Sequence, residues 1–179
     1  RSTPTNGVRP GGLTGAWGES MAERLRVWIF QTGEPMPLDG DGSRPMRAIN
    51  LSDALVAAGH EVVLWTADFD HTNHRHRYGR NTKVRVSPHL EVRFVRSRGY
   101  ETNVGPARLL DHAQLAVNLR RLLIGEEPPD VAFVGYPPIE PASVIVHWLR
   151  EHDTPVLLDV KDAWPEVLLR GVPDGFKHS

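Results

Sequence analysis

Short apolar runs alternate with longer helical patterns from Leu25 onward, and this alternation constrains the fold more than any other feature of the sequence. Such runs are typical of buried strands, and helical periodicity between them is typical of a parallel sheet covered by helices. The predicted strands are residues 25–30, 61–66, 90–95, 130–134 and 155–160, and the predicted helices are residues 45–58, 106–124 and 139–152. The order β-α-β-β-α-β-α-β predicts a single α/β domain with a mostly parallel, twisted sheet flanked by helices.

Two details of the pattern predict how the elements sit in this fold. The third predicted strand alternates polar and apolar side chains, so we expect it at an edge of the sheet. The long helix is expected to bury one stripe, made of Leu109, Ala113, Ala116, Leu119 or Arg120, and Leu123. Ligands of open parallel sheets bind outside the carboxyl ends of the strands. Binding residues are therefore expected in the loops after the first, second, fourth and fifth strands.

The composition excludes several classes of function. A formal net charge of -1 and a pI near 6.8 provide no overall attraction to nucleic acid, so we expect no nucleic-acid partner. The absence of cysteine excludes disulfides, thiolate metal sites and a cysteine nucleophile. No apolar run approaches the roughly 20 residues that span a bilayer. We expect a cytoplasmic protein, with at most a peripheral contact at the inner membrane face.

Residues 1–20 differ in composition from the rest of the chain. They are rich in Gly, Pro, Ser and Thr, show no apolar periodicity and lack the apolar core of a secretory signal. We expect them to be a disordered leader or a tag, with Met21 as a candidate natural start. Residues 21–179 then form one domain, whose core is supported by the 40% hydrophobic content of the chain.

A glycine-rich turn, Gly40, Asp41 and Gly42, precedes the first helix. Backbone amides beside a helix N-terminus favour a phosphate or diphosphate ligand. The turn is not a dinucleotide fingerprint, since the third glycine is missing, and it is not a P-loop, since the Gly-Lys-Ser/Thr sequence is missing. An ordinary flexible surface turn explains these residues equally well.

The loop after the second strand concentrates acids and imidazoles, namely Asp68, Asp70, His71, His74 and His76. Four cations flank them: Arg75, Arg77, Arg80 and Lys83. A metal ion here would sit in a cationic setting, and the spacing matches no structural zinc site, so we expect no metal. The basic stretch suits an anionic, lipid-linked substrate at a membrane face, although a solvated loop explains it at least as well.

The entry to the long helix is a third candidate region. Tyr100 and Asn103 precede the helix, and Arg108 and His112 share one of its faces because they lie four residues apart. These side chains would contact sugar hydroxyls or a phosphate. The alternative is an ordinary capped helix whose polar residues are solvated.

The tips of the last two strands carry the remaining candidates. Tyr136 follows the fourth strand, where it would stack on a sugar or base, but the two prolines after it are explained by the turn alone. Lys161 and Asp162 follow the fifth strand. An aspartate buried at a strand tip needs a partner, so it either caps the following turn or meets a ligand.

Six segments, each weak alone, together identify a family. They are the glycine-rich turn at residues 40–42, AxGHEVVLWT at 57–66, FDH at 69–71, GYxxNVGxxRLLDH at 99–112, YPPIE at 136–140 and DVKDAWPE at 159–166. In this order they resemble the N-terminal domain of family 4 retaining glycosyltransferases with the GT-B fold, in the branch that builds bacterial surface polysaccharides. The resemblance covers nearly the whole chain from Arg24 to its end.

The resemblance implies one half of a two-domain enzyme. Two Rossmann-like domains would face each other across a cleft, with the acceptor on the N-terminal domain and most of the nucleotide-sugar donor on the C-terminal one. The implied reaction transfers a hexosyl or N-acetylhexosaminyl group to a glycan or lipid-linked acceptor, with retained anomeric configuration and no cofactor. Since the donor domain is expected to be absent from this chain, we expect the chain alone to be inactive.

The resemblance also implies roles for individual residues. The amides of Gly40 and Gly42 would approach the donor diphosphate, and Asp162 would be the catalytic residue near the reacting sugar. The acceptor-binding residues would be His71, Tyr100, Asn103, Arg108, Tyr136 and Lys161. Lys161 stands where relatives more often have arginine, which keeps the charge but loses the bidentate fork.

Two alternatives remain open at this stage. A nucleotide-sugar epimerase shares the two-domain architecture and needs no separate acceptor. A non-catalytic module that binds a sugar or phosphate would use the same loops at the ligand edge.

Overall fold

A computed structural model describes residues 23–40, 42, 44–102 and 105–161 of the chain. The strands are β1 (Arg26–Phe30), β2 (Glu61–Ala67), β3 (Phe69–Asp70), β4 (Arg75–His76), β5 (Thr82–Ser87), β6 (Leu90–Val95), β7 (Val131–Tyr136) and β8 (Val156–Val160). The helices are α1 (Arg47–Ala57), α2 (Pro106–Leu123) and α3 (Ile139–Glu151), and a short 3-10 turn spans Pro37–Asp39. No helix within the described ranges combines the length and the apolar character needed to cross a bilayer.

Six strands form one sheet in the order β5-β6-β2-β1-β7-β8. All neighbouring pairs are parallel except β5 with β6, which is antiparallel. Trp28 at the centre of β1 is in register with Val63 of β2 on one side and with Ala132 of β7 on the other. The predicted α/β domain with a mostly parallel sheet is therefore confirmed, and β1 lies at its centre.

The near-continuous apolar character of β1 follows from burial on both faces of the sheet. Val27 and Ile29 point to the layer that contains α1, whereas Trp28 and Phe30 point to the layer that contains α2 and α3. Trp28 is the hub of the second layer. Its ring lies edge-on to Trp65 at 5.3 Å and stacks on Trp148 of α3 at 5.2 Å.

The prediction that residues 90–95 form an edge strand is wrong. This segment is β6, and it lies between β2 and β5. The edge on this side of the sheet is β5, a polar strand in a stretch for which the sequence pattern predicts no strand or helix. The same stretch contains the β3–β4 hairpin. An edge strand pairs on one side only and needs few apolar residues, so its sequence signal is weak.

The predicted buried stripe of α2 is correct in part. Ala116, Leu119 and Leu123 are buried, together with Leu115. Leu109 and Ala113 are instead exposed. The helix is apolar on its outer side as well as its inner side, so periodicity alone cannot identify the side that faces the core.

Candidate functional site

A pocket opens where the strand order reverses, at the carboxyl ends of β1 and β7. From β1 the chain continues to β2 on one side, and β7 and β8 extend the sheet on the other, which is the arrangement that leaves a crevice for ligands. The cavity measures about 110 Å³. We name it the histidine pocket, and its polar and aromatic lining consists of His71, Tyr100, Arg108, Asp111, His112 and Phe69. The other lining residues are Thr32, Gly33, Ala67, Leu115, Pro137 and Pro138.

Phe69 and Tyr100 form the aromatic wall of the pocket. Their ring centroids lie 5.0 Å apart, and Phe69 also contacts the His76 ring at 5.3 Å. Gly99 allows this approach, because a Cβ at this position would lie 2.7 Å from a ring carbon of Phe69. The backbone of Gly99 also has a φ of +80°, which favours glycine. Close packing therefore fixes the wall.

Most of the acids and imidazoles in the loop after β2 form hydrogen bonds that fix the loop backbone. The fully buried Asp68 carboxylate accepts hydrogen bonds from the amides of Tyr78 (2.8 Å) and Gly79 (3.1 Å) and from His76 Nδ1 (2.9 Å). The other ring nitrogen of His76 lies 3.2 Å from the Arg98 carbonyl oxygen. Within the described residues, no three His, Cys, Asp or Glu side chains converge to hold a metal ion. His71 alone of this cluster lines the pocket.

The two histidines of the pocket are both half-buried. Burial lowers the pKa of His71 below the ordinary value of 6.5, with Asp70 opposing the shift. Burial likewise lowers the pKa of His112, with Glu140 opposing it. Both imidazoles are therefore mostly neutral at neutral pH, and each can accept one hydrogen bond.

Glu140 and Asp111 hold the α2 side of the pocket in place. The carboxylate of Glu140 lies 3.7 Å from His112 Nδ1, so Nε2 is the ring atom left for the pocket. Asp111 is buried and accepts a 2.6 Å hydrogen bond from the Gly99 amide, which ties the pocket wall to α2. The guanidinium of Arg108 lies 5.9 Å from the centre of the Tyr100 ring. Burial raises the pKa of the Tyr100 phenol, so its hydroxyl stays protonated and able to donate.

A second groove lies between the start of α1 and the end of β8. We name it the ion-pair groove, and its charged lining consists of Glu34, Arg44, Arg47, Asp159 and Lys161. The Glu34 side chain is only 4% exposed, and it accepts a 2.9 Å hydrogen bond from the Ala48 amide in the first turn of α1. Its other oxygen pairs with Lys161 Nζ, and Arg47 pairs with Asp159. The carboxylate of Glu34 thus occupies a position at the helix N-terminus that suits anions.

The structure brings together three of the residues for which the family resemblance implies acceptor binding. His71, Tyr100 and Arg108 line the histidine pocket. Tyr136 ends β7 and packs partly against the core, whereas Lys161 lies in the ion-pair groove. Asn103 and Asp162 lie outside the described residues.

The two glycines of the predicted diphosphate site lie apart from the histidine pocket. Gly40 and Gly42 are exposed and have φ values of +72° and +71°. Gly40 directly follows Asp39, whose carboxylate accepts hydrogen bonds from Arg77 at 2.6 and 2.8 Å. This ion pair anchors the turn to the loop after β2.

Sequence reasoning did not select Asp111 or Glu34 as site residues. Asp111 follows Arg108 by three positions, so helical spacing already places both on one side of α2. Glu34 meets Lys161 across 127 positions of sequence, and no local pattern reports such a contact.

Comparison with known families adds one finding. A family model described as the glycosyl transferase 4-like domain matches residues 46–178, which is well over half of the chain. A comparison with curated proteins found no match.

Proposed function

Because the chain belongs to the glycosyl transferase 4-like domain family, we propose that it is the acceptor-side domain of a retaining glycosyltransferase with the GT-B arrangement. With a donor domain, this enzyme transfers a hexosyl or N-acetylhexosaminyl group from a nucleotide-sugar to a glycan or lipid-linked acceptor. The product belongs to bacterial surface polysaccharide. The observation that carries the proposal is the histidine pocket at the carboxyl edge of the sheet, where such folds bind their ligands.

The chemistry of the histidine pocket supports a sugar ligand. Phe69 and Tyr100 offer apolar faces to the carbon skeleton of a ring. His71 and His112 are neutral hydrogen-bond acceptors for hydroxyl groups, and Tyr100 and Arg108 are donors. A polyol carries both kinds of group at short spacing. The acceptor therefore binds with its reacting sugar in this pocket.

The ion-pair groove is the donor side of the proposed cleft. Gly40 and Gly42 belong to the loop that leads into α1, and their amides approach the donor diphosphate in the two-domain enzyme. Lys161 is held beside the α1 N-terminus by Glu34, so its cation faces the same region. In this proposal Lys161 acts on the donor side, and Asp162, the next residue, is the catalytic residue of the assembled cleft.

A titration of the ¹⁵N-labelled chain tests the binding half of the proposal. The probes are octyl glucoside and octyl N-acetylglucosaminide as acceptor mimics, and UDP-glucose and UDP-N-acetylglucosamine as donors. The octyl glycosides should shift amides around the histidine pocket, and the nucleotide-sugars should bind weakly. Tyr100→Ala should abolish glycoside binding, whereas Tyr78→Ala, an exposed tyrosine outside the pocket, should not. Tight nucleotide-sugar binding in the histidine pocket would contradict the assignment.

An enzyme assay tests the reaction half. The full-length protein that carries this domain is incubated with each UDP-sugar, with and without an octyl glycoside, and the products are followed by proton NMR. The proposal expects a disaccharide product with the anomeric configuration of the donor. Inversion would reject a retaining enzyme, and an epimerised UDP-sugar in the absence of acceptor would identify an epimerase instead.

A further inference from the structure

The outward side of α2 is apolar, although it faces away from the core. We name it the α2 outer surface, and it consists of Leu109, Leu110, Ala113, Val117 and Ile124 at the helix end. Leu109 and Leu110 are each 53% exposed, Val117 is 49% exposed and Ile124 is 78% exposed. A helix on the outside of an α/β domain normally turns polar residues outward. Exposed apolar side chains grouped in this way mark a surface that binds something.

Four exposed arginines lie around the α2 outer surface. Arg120 and Arg121 flank it in the last turn of α2, and both are exposed. Arg96 and Arg98 are also exposed, and the Arg96 carbonyl accepts a 2.7 Å hydrogen bond from Asn118, which places this segment beside α2. None of these four arginines takes part in an ion pair among the described residues.

The acidic side chain of α2 does not offset these cations at the surface. Asp111 is the only acid in the helix, and it is buried on the opposite side, where it accepts the hydrogen bond from Gly99. The α2 outer surface therefore combines apolar residues with four arginines that form no ion pair among the described residues. This combination is typical of helices that lie in the interface of an anionic bilayer.

We propose that the α2 outer surface docks on an anionic lipid bilayer, with its leucines, valine and isoleucine among the headgroups and its arginines at the phosphates. A second copy of the chain fits less well, because a two-fold contact would bring the same cations face to face. The inner side of α2 supplies Arg108, Asp111 and His112 to the histidine pocket. Docking thus brings the pocket close to the lipid surface. The value of this position for a lipid-linked acceptor rests on the proposed function, whereas the docking itself does not.

Vesicle co-sedimentation tests the proposal. The chain is mixed with vesicles of phosphatidylglycerol and phosphatidylcholine in equal parts, and separately with pure phosphatidylcholine. Binding should require the anionic lipid and should weaken several-fold when salt is raised to about 0.5 M, because screening acts on the arginines. The double substitution Leu110→Gln and Val117→Gln removes apolar area without changing charge, and it should weaken binding roughly tenfold. Arg120→Gln with Arg121→Gln should also weaken binding several-fold.

Matched controls keep the result specific. Leu38→Gln and Arg150→Gln change an exposed leucine and an exposed arginine away from α2, and both should bind like the unchanged chain. Circular dichroism checks that each variant is folded. Equal vesicle binding by the α2 variants and the controls would overturn the proposal. So would a dimer, detected by light scattering, that the Leu110→Gln and Val117→Gln substitutions dissociate.

The glycoside titration distinguishes this proposal from the proposed function. The two α2 substitutions lie outside the histidine pocket, so the variant should still bind octyl glycosides. Glycoside binding without vesicle binding would reject the docking surface alone. Vesicle binding without glycoside binding would reject the sugar site alone.

Discussion

The histidine pocket and the ion-pair groove lie at the same edge of one sheet, but their polar groups differ in charge and in pairing. The pocket keeps two neutral imidazoles beside an aromatic wall. In the groove, Glu34 and Asp159 are already paired with Lys161 and Arg47. The pocket is thus ready for a neutral, hydroxylated ligand, whereas an anionic ligand in the groove must replace or share existing partners. One edge of the sheet therefore carries two sites of different polarity.

The largest expected effect concerns the wall of the pocket. Gly99→Ala should lower the free energy of unfolding by about 3 kcal/mol, because the new Cβ clashes with Phe69 and the backbone φ is positive. Gly40→Ala in the exposed turn before α1 has a similar φ but open space, so it should cost only about 1 kcal/mol. Urea unfolding measures both. Equal losses would show that the pocket wall is no more tightly packed than the exposed turn at Gly40.

A smaller effect is expected inside the groove. Glu34→Ala should lower the free energy of unfolding by about 2 kcal/mol, because the Ala48 amide and the half-buried Lys161 both lose their partner. Glu34→Gln should cost less, since its amide oxygen can still accept from Ala48. The control Glu151→Ala removes an exposed carboxylate from α3 and should change stability little. A neutral result for Glu34→Ala would mean that the groove does not depend on its ion pairs.

The glycoside affinity of the pocket should depend on pH through its two histidines. Burial lowers the pKa values of His71 and His112, so below about pH 6.5 the unfolded chain binds more protons than the folded chain. The folded state therefore loses stability as the pH falls from about 6.5 through the lowered pKa values. Octyl glycoside affinity should fall several-fold over the same window, since a protonated imidazole no longer accepts a hydrogen bond. Calorimetry across this range measures the affinity. An affinity that rises on acidification would indicate an anionic ligand.

The smallest effect is expected at the exposed ion pair of the groove. Arg47→Gln removes the partner of Asp159, but the arginine side chain is 56% exposed and its charge is screened by water. The loss of stability should be below about 0.5 kcal/mol. Thermal unfolding at low and high salt checks this value. A clearly larger loss would show that the whole groove, and not only Glu34, is structurally coupled.

The sequence predicts the central sheet well because β1 and β2 are buried on both faces and are therefore almost continuously apolar. It does not predict the edge strand β5, because β5 has a neighbour on one side only and its polar sequence carries Lys83 and Arg85. For the site, helical spacing places Arg108 and His112 together in the pocket, whereas Tyr136 and Lys161 at the strand tips do not line it. The contact of Glu34 with Lys161 depends on tertiary packing over 127 positions, which no local pattern encodes.

The tryptophan cluster described in the fold has an optical consequence. Trp28 lies 5.3 Å from Trp65 and 5.2 Å from Trp148, so their transitions couple electronically in the folded chain. Since these rings come from two strands and from α3, the coupled near-ultraviolet dichroism reports on the packing of that helix against the sheet. The domain therefore contains its own spectroscopic probe, which follows assembly of this layer without an added label.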